Sequence, residues 1–231
     1  MDFSPLEKKI GVDFKDKALL KQAFVHRSYL NENKSSKLRH NERLEFLGDA
    51  VLGLVSATYL YGRYPEKDEG SLSSFRSALV NAVMLAGIAA SLGMEQYLLL
   101  SHGESKDKGK ARQIILADTM EALIGAIFLD QGYEAARIFI EEHILYRIDE
   151  VVVSGTFVDS KSAFQERAQE EEGVTPVYKV IRESGPDHDK TFVMGVYLGE
   201  QSPVKLCEGE GKSKQEAEQR AAADALKAKG W

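Results

Sequence analysis

His40-Asn41-Glu42-Arg43-Leu44-Glu45-Phe46-Leu47-Gly48-Asp49-Ala50 is the stretch around which the rest of the chain is organised. Three acids, Glu42, Glu45 and Asp49, fall at i, i+3 and i+7. On a helix these positions lie within an arc of roughly 60°. Leu44, Leu47, Val51, Leu54 and Val55 recur at spacings of three and four, the apolar stripe of a packed helix, predicted over 41–62. A row of carboxylates therefore runs along a largely buried helix, and burying a carboxylate is costly unless something pairs with it. A second pair, Asp118 and Glu121, stands at i, i+3 in another apolar helical run, 114–131. One such row also reads as a solvated face. Two of them on two apolar helices point to a divalent cation.

The run Asn41 to Asp49, NERLEFLGD, resembles the signature of ribonuclease III, the double-stranded-RNA endonuclease. The triplet His26-Arg27-Ser28 is similar to a second stretch of that family. His26 itself reads as a structural hydrogen-bonding group rather than a catalyst.

Composition fits an ordinary globular protein: 231 residues, 43% hydrophobic and 29% charged. One cysteine, Cys207, excludes an internal disulfide framework and suits a reducing compartment. It reads as a small strand residue rather than a nucleophile. No apolar run is expected to reach the roughly 20 residues of a membrane span, and Met1 to Lys9 lacks an apolar signal core. A cytoplasmic location without a membrane is therefore expected. The net charge of −6 is unusual for a nucleic-acid binder. Both halves share it, with 19 basic and 22 acidic residues in 1–150 and 11 and 14 in 151–231. Any RNA contact must come from local clusters, with cations offsetting the acids.

Outward from the central helix, Leu19, Leu20, Ala23 and Phe24 predict a helix ending near His26-Arg27-Ser28, and 31–39 reads as a polar, basic loop. Pro65 cannot continue the helix before it. A further helix runs through Phe75, Leu79, Val83 and Leu85, capped by Ser71 or Ser73, and continues from Ala86 to Leu92. The stretch 101–113, SHGESKDKGKARQ, is polar and without periodicity, so a mobile loop is expected. Gly132 stops the 114–131 helix, and a helix over 134–148 closes an all-helical half, residues 1–150. Residues 151–158 read as a linker.

From 159 to 229 the pattern changes to α-β-β-β-α. Ser160 to Glu172 is helical, and Val177 to Glu183 is a β-branched strand. Gly185-Pro186-Asp187-His188 is turn chemistry. Thr191 to Leu198 alternates, with Phe192, Met194 and Val196 on one face, and Val204 to Glu208 is a third strand after a turn at 200–203. Ser213-Lys214-Gln215-Glu216 is a capping box opening an alanine-rich helix. This segment resembles a double-stranded-RNA-binding domain, in the GPDH turn and in Gly211-Lys212-Ser213-Lys214. The fold class expected is thus an all-α endonuclease domain followed by a small α+β domain, in the order found in bacterial ribonuclease III.

Oxygen-only ligands favour Mg²⁺, with Mn²⁺ as a substitute, over zinc. The acids selected as ligands are Glu45, Asp49, Asp118 and Glu121. The resemblance implies that Glu45, Asp118 and Glu121 hold one ion and that Asp49 helps place a second. It implies too that Glu42 and Glu69 line the same cleft, that the products carry 5′-phosphate and 3′-hydroxyl ends, and that the substrates are ribosomal and other structured precursor RNAs. It further implies a homodimer, with Phe46 packing across the interface; a core phenylalanine is the other reading. On the binding side it implies that Gln165 and Glu166 reach one minor groove and Pro186 and His188 another. Lys212, Ser213 and Lys214 then face phosphates with the free N–H groups of the last helix. No organic cofactor is expected. Two positions depart from the family pattern, Ala50 where serine is usual and Gln215 where a second cation is usual, and the latter predicts weak binding by the isolated domain.

Three other functions compete. A non-catalytic duplex-RNA-binding protein would not need all the acids. A small-molecule phosphohydrolase would not need residues 159–229. A structural RNA-associated protein would not cut strands.

Overall fold

The computed structural model describes residues 2–106, 108–149, 160–186, 190–199 and 204–231. The chain divides into two compact units, Met1–Phe157 and Val158–Trp231, each with its own apolar core. The expected linker lies outside the described residues.

The first unit contains α1 (Ser4–Ile10), α2 (Lys17–Ala23), α3 (Arg27–Glu32), α4 (Glu42–Arg63), α5 (Glu69–Leu79), α6 (Ala82–Ser91), α7 (His102–Lys106), α8 (Lys110–Gln131) and α9 (Tyr133–His143). Single 3₁₀ turns follow α6 and α9. Its only extended pairing among the described residues is the isolated bridge between Val25 and Leu99. The core is built around α8, whose Met120, Leu123, Ile124 and Ile127 are fully buried. Helix α4 lies along α8 more extensively than any other pair of elements.

That close packing rests on two glycines. A Cβ on Gly48 would sit 1.8 Å from the Glu121 carbonyl oxygen, and one on Gly125 would sit 2.1 Å from the Leu44 carbonyl oxygen. The helices therefore touch backbone to backbone, which only residues without a side chain allow. The contact brings the first acid row beside the second. At 22 residues, and with mean hydropathy 1.2 in its apolar window, α4 passes the length and composition test for a membrane span, which the reading of the sequence did not anticipate. Buried core helices pass the same test, and α4 packs against α8.

Several expected boundaries move. Leu54 is 57% exposed and lies outside the core. Helix α5 is capped by Asp68, whose carboxylate accepts from the Ser71 N–H, and not by Ser71 or Ser73. Asn81 then caps α6 by accepting from the Met84 N–H, so the expected continuous helix breaks and Val83 is exposed. The expected loop 101–113 contains α7 and the first turn of α8. Its order comes from Arg112, buried, which donates to the Glu104 and Ser105 carbonyls at 3.0 Å, and from Glu32, which accepts the His102 N–H at 2.9 Å. The helix expected over 134–148 ends at His143 and tightens into a 3₁₀ turn, Leu145–Arg147.

The second unit consists of α10 (Ser160–Glu172), an antiparallel sheet of β1 (Val177–Ser184), β2 (Thr191–Leu198) and β3 (Val204–Gly211) in that order, and α11 (Lys214–Lys229). Phe164, Ala168, Val196, Leu198, Ala221 and Ala225 form its core. The alanine face of α11 lies so close to β3 that a Cβ on Gly209 would meet the Ala217 carbonyl oxygen at 2.2 Å. Ser213 caps α11 by accepting from the Glu216 N–H at 3.1 Å. The return bond of the capping box goes from the Lys212 N–H to Glu216 at 2.7 Å.

Candidate metal centre and RNA-binding surface

The first turn of α4 is set by Asn41, which is 3% exposed. Its side chain does not cap the helix; it donates to the Ala23 carbonyl at 3.0 Å, while its main-chain N–H donates to the Val25 carbonyl at 2.9 Å. Its own carbonyl accepts the Glu45 N–H at 3.0 Å. The end of α2 and the start of α4 are thereby tied together, and Glu45 is held one turn into the helix. Across the glycine contact, α8 presents Asp118 and Glu121. Carboxylate oxygens of Glu45, Asp118 and Glu121 lie within 4.8 Å of one another, each residue half-buried.

No Lys, Arg or His among the described residues forms an ion pair with these three carboxylates. Their electrostatics record the cost. Burial, with Asp49, Asp118 and Glu45 adding repulsion, pushes the Glu121 carboxyl up to about 7. Glu45 is raised by burial and by the charges of Asp118, Glu42 and Asp49, and Asp118 is raised by burial. Converging acids that are neither paired nor fully solvated fit a hard dication bound through oxygen, which removes the repulsion.

The other predicted residues fall around this centre unevenly. Asp49 stands outside the three-residue group but close enough for its charge to act on Glu45 and Glu121. Glu42 pairs with Arg27 at 3.4 Å and His40 at 3.7 Å. Glu69 is not brought into the group; it opens α5, accepts from the Ser73 hydroxyl at 3.2 Å, and lines a separate cavity of about 410 Å³ with Tyr61, Lys67 and Arg76. Phe46 is 80% exposed, so the core reading of this residue is wrong. It borders a groove of about 860 Å³ with Leu19, Leu38 and Leu129. His26 caps α3 through Nδ1, which accepts from the Ser28 N–H at 3.3 Å. Burial lowers its pKa, opposed by the charges of Glu104, Asp118 and Glu42.

Reading the sequence missed Asn41, Gly48 and Gly125 as the residues that place the acids. Glycine inside an otherwise apolar helix was the available signal for the last two. Nothing in the sequence announces the backbone partners of Asn41.

In the second unit, Gln165 and Glu166 are exposed on α10 and line a shallow cavity of about 430 Å³ with Ser162, Gln169 and Glu170. Pro186 is exposed after Gly185, and His188 lies outside the described residues. Lys212, Ser213 and Lys214 gather at the start of α11. The Lys214 ammonium is 3.2 Å from Glu183 and 5.6 Å from the centre of the Phe192 ring.

Known proteins agree with both units. The family model described as Ribonuclease-III-like matches residues 16–148, and the one described as double-stranded RNA binding motif matches 160–229. Ribonuclease 3 of Protochlamydia amoebophila is 46% identical over 221 residues, covering 96% of this chain and 89% of its own. Ribonuclease 3 of Streptococcus thermophilus is 46% identical over 224 residues, covering 96% and 95%. Among solved structures, a nuclease domain of ribonuclease III from Campylobacter jejuni superposes with TM-score 0.55 at 42% identity, covering 62% of this chain and 98% of that one. That structure is described by flexibility in its region of dimer formation. With a helical unit bearing converging acids and an α-β-β-β-α unit after it, the chain belongs to the ribonuclease III family of double-stranded-RNA endoribonucleases.

Proposed function

We propose that Glu45, Asp49, Asp118 and Glu121 hold Mg²⁺, or Mn²⁺ in its place, and that this centre hydrolyses duplex RNA to 5′-phosphate and 3′-hydroxyl ends. The observation that carries the reading is the set of three converging carboxylates, with which no Lys, Arg or His among the described residues forms an ion pair. A bound dication supplies an activated water and neutralises charge developing on the phosphate. The chain's own part is geometric and electrostatic. Asn41 and the Gly48–Gly125 contact fix the two acid rows. Glu121, whose carboxyl burial and its acid neighbours push up to about 7, keeps part of its proton near neutrality in the metal-free protein, and a bound cation would favour its ionised form. Glu42, beside Arg27, serves water or RNA at the margin of the cleft, whereas Glu69, which lines a separate cavity with Lys67 and Arg76, is left out of the centre.

On the binding unit, Gln165, Glu166, Pro186 and His188 contact the shallow minor groove of A-form RNA, and Lys212, Ser213 and Lys214 contact its phosphates. Phe46 packs across a homodimer in which each subunit cuts one strand. The site of action is the cytoplasm, on ribosomal and other structured precursor RNAs.

The test is a gel assay on a long RNA duplex, comparing the wild type with Glu121→Gln in Mg²⁺ and in Ca²⁺. Cutting by the wild type in Mg²⁺ only, with the variant binding but slower by two orders of magnitude or more, is expected. Undiminished cutting by Glu121→Gln removes it from the centre, and binding without cutting by the wild type overturns the metal reading.

A further inference from the structure

Lys214, the first residue of α11, already has an anion. Glu183 stands at the end of β1, directly opposite Phe192 on β2 in the sheet register. The Lys214 ammonium lies over the Phe192 ring, 3.2 Å from the Glu183 carboxylate. Strand, ring and helix start thus form a triangle that holds an acid where the RNA reading places a phosphate. The neighbouring cation is engaged as well: the Lys212 ammonium donates to the Thr191 hydroxyl at 3.4 Å, and its N–H is taken by Glu216. Both partners of the Lys214 pair are substantially exposed, 55% and 40%, so the pair opens easily.

We propose that Glu183 is an affinity-determining residue: its carboxylate occupies Lys214 in the free protein and must be displaced by an RNA phosphate. The proposal rests on the reading of Lys214 as a phosphate contact. Its physical content is an exchange of one anion for another. When Lys214 moves to RNA it releases about one condensed counter-ion from the duplex. The freed Glu183 regains cations from solution, which cancels part of that release. Glu183 therefore lowers affinity and also flattens its dependence on salt. This accords with an acidic binding half, in which 14 acids stand against 11 bases over 151–231.

The experiment is fluorescence anisotropy with a blunt RNA duplex and the full chain, in EDTA so that nothing is cut, over a series of KCl concentrations. Four proteins are compared: wild type, Glu183→Gln, Lys214→Ala and the double variant. Glu183→Gln is expected to bind up to about five-fold tighter at low salt, the size of one exposed ion pair. Its log–log salt slope should be steeper by up to about one ion. Lys214→Ala is expected to bind more weakly, and adding Glu183→Gln to it should then gain nothing. If Lys214→Ala binds as the wild type does, the phosphate contact itself is wrong. If Lys214→Ala weakens binding but Glu183→Gln is neutral, the contact stands and the competition is overturned. An equal gain from Glu183→Gln in both backgrounds marks a bulk charge effect and overturns it too.

Discussion

A single carboxyl carries much of the site's character. Glu121 is pushed from an ordinary 4.5 up to about 7, mainly by burial. A group whose pKa rises on folding contributes stability that is fully present below its unfolded value and is lost as pH climbs through its folded one. Glu45 and Asp118 shift in the same direction. The metal-free protein should therefore lose thermal stability between about pH 4.5 and 7, and Mg²⁺ should restore it at pH 8. Glu121→Gln, which cannot ionise, should melt a few degrees above the metal-free wild type at pH 8, with the gap narrowing toward pH 5. Calorimetry in EDTA at the two pH values measures this; a variant no more stable at pH 8 than the wild type removes the penalty assigned to Glu121. The acids were legible because helical spacing makes i, i+3 and i+7 neighbours. Their protonation was not, since it depends on burial and on charges from the other helix. Neither was the separation of Glu69 from the cluster, since sequence distance does not say which cavity a helix start borders.

Between elements, the decisive event is the approach of α4 to α8. Gly48 and Gly53 lie in the same helix, yet a Cβ on Gly53 would meet nothing within 4 Å while one on Gly48 would enter the Glu121 carbonyl. Gly48→Ala should therefore destabilise by about 1–3 kcal/mol or more and weaken cation binding as the acid rows part. Gly53→Ala should stabilise by about 0.4–1 kcal/mol. Urea unfolding of the pair checks this, and equal stability of the two variants would deny the close contact. Elements with their own periodicity were legible: α4, α8, α10, β2 and the serine cap of α11 all stand near where hydrophobic spacing and capping chemistry put them. Segments whose order comes from elsewhere were not. Helix α7 has no apolar stripe and is held by Arg112 and by the Glu32 carboxylate, 70 residues away from the amide it binds. The break before α6 was signalled by Asn81, but a continuous run of apolar residues masked it.

At the level of the whole molecule, an acidic protein handles a polyanion by dividing the work. One unit concentrates acids where cations can bind, and the other exposes a few lysines against a comparable number of acids. Neither behaviour is visible in the net charge of −6, which averages over both. Among the described residues Phe46 is the most exposed large hydrophobic side chain, an aromatic 80% exposed on the helix that carries the first acid row. If it packs across a homodimer, Phe46→Ala should shift the sedimenting species from dimer toward monomer by an order of magnitude or more in dissociation constant, since buried aromatic anchors dominate interfaces. A wild type that sediments as a monomer, or a variant as dimeric as the wild type, would place the interface elsewhere.

The glycine contact also limits how the centre can breathe. Where two helices meet through peptide groups, hard-core repulsion opposes any closer approach, while separation costs only the loosening of packed side chains. The frame is a stop in one direction and a spring in the other. A small ion with oxygens at about 2.0–2.1 Å would have to be reached by rotation of the carboxylates, because the backbones could not follow them inward. A larger one, at about 2.3–2.6 Å, can be met by the helices yielding outward. If Glu45, Asp118 and Glu121 hold a cation as proposed, discrimination by radius would fall to their side-chain torsions on one side and to helix packing on the other.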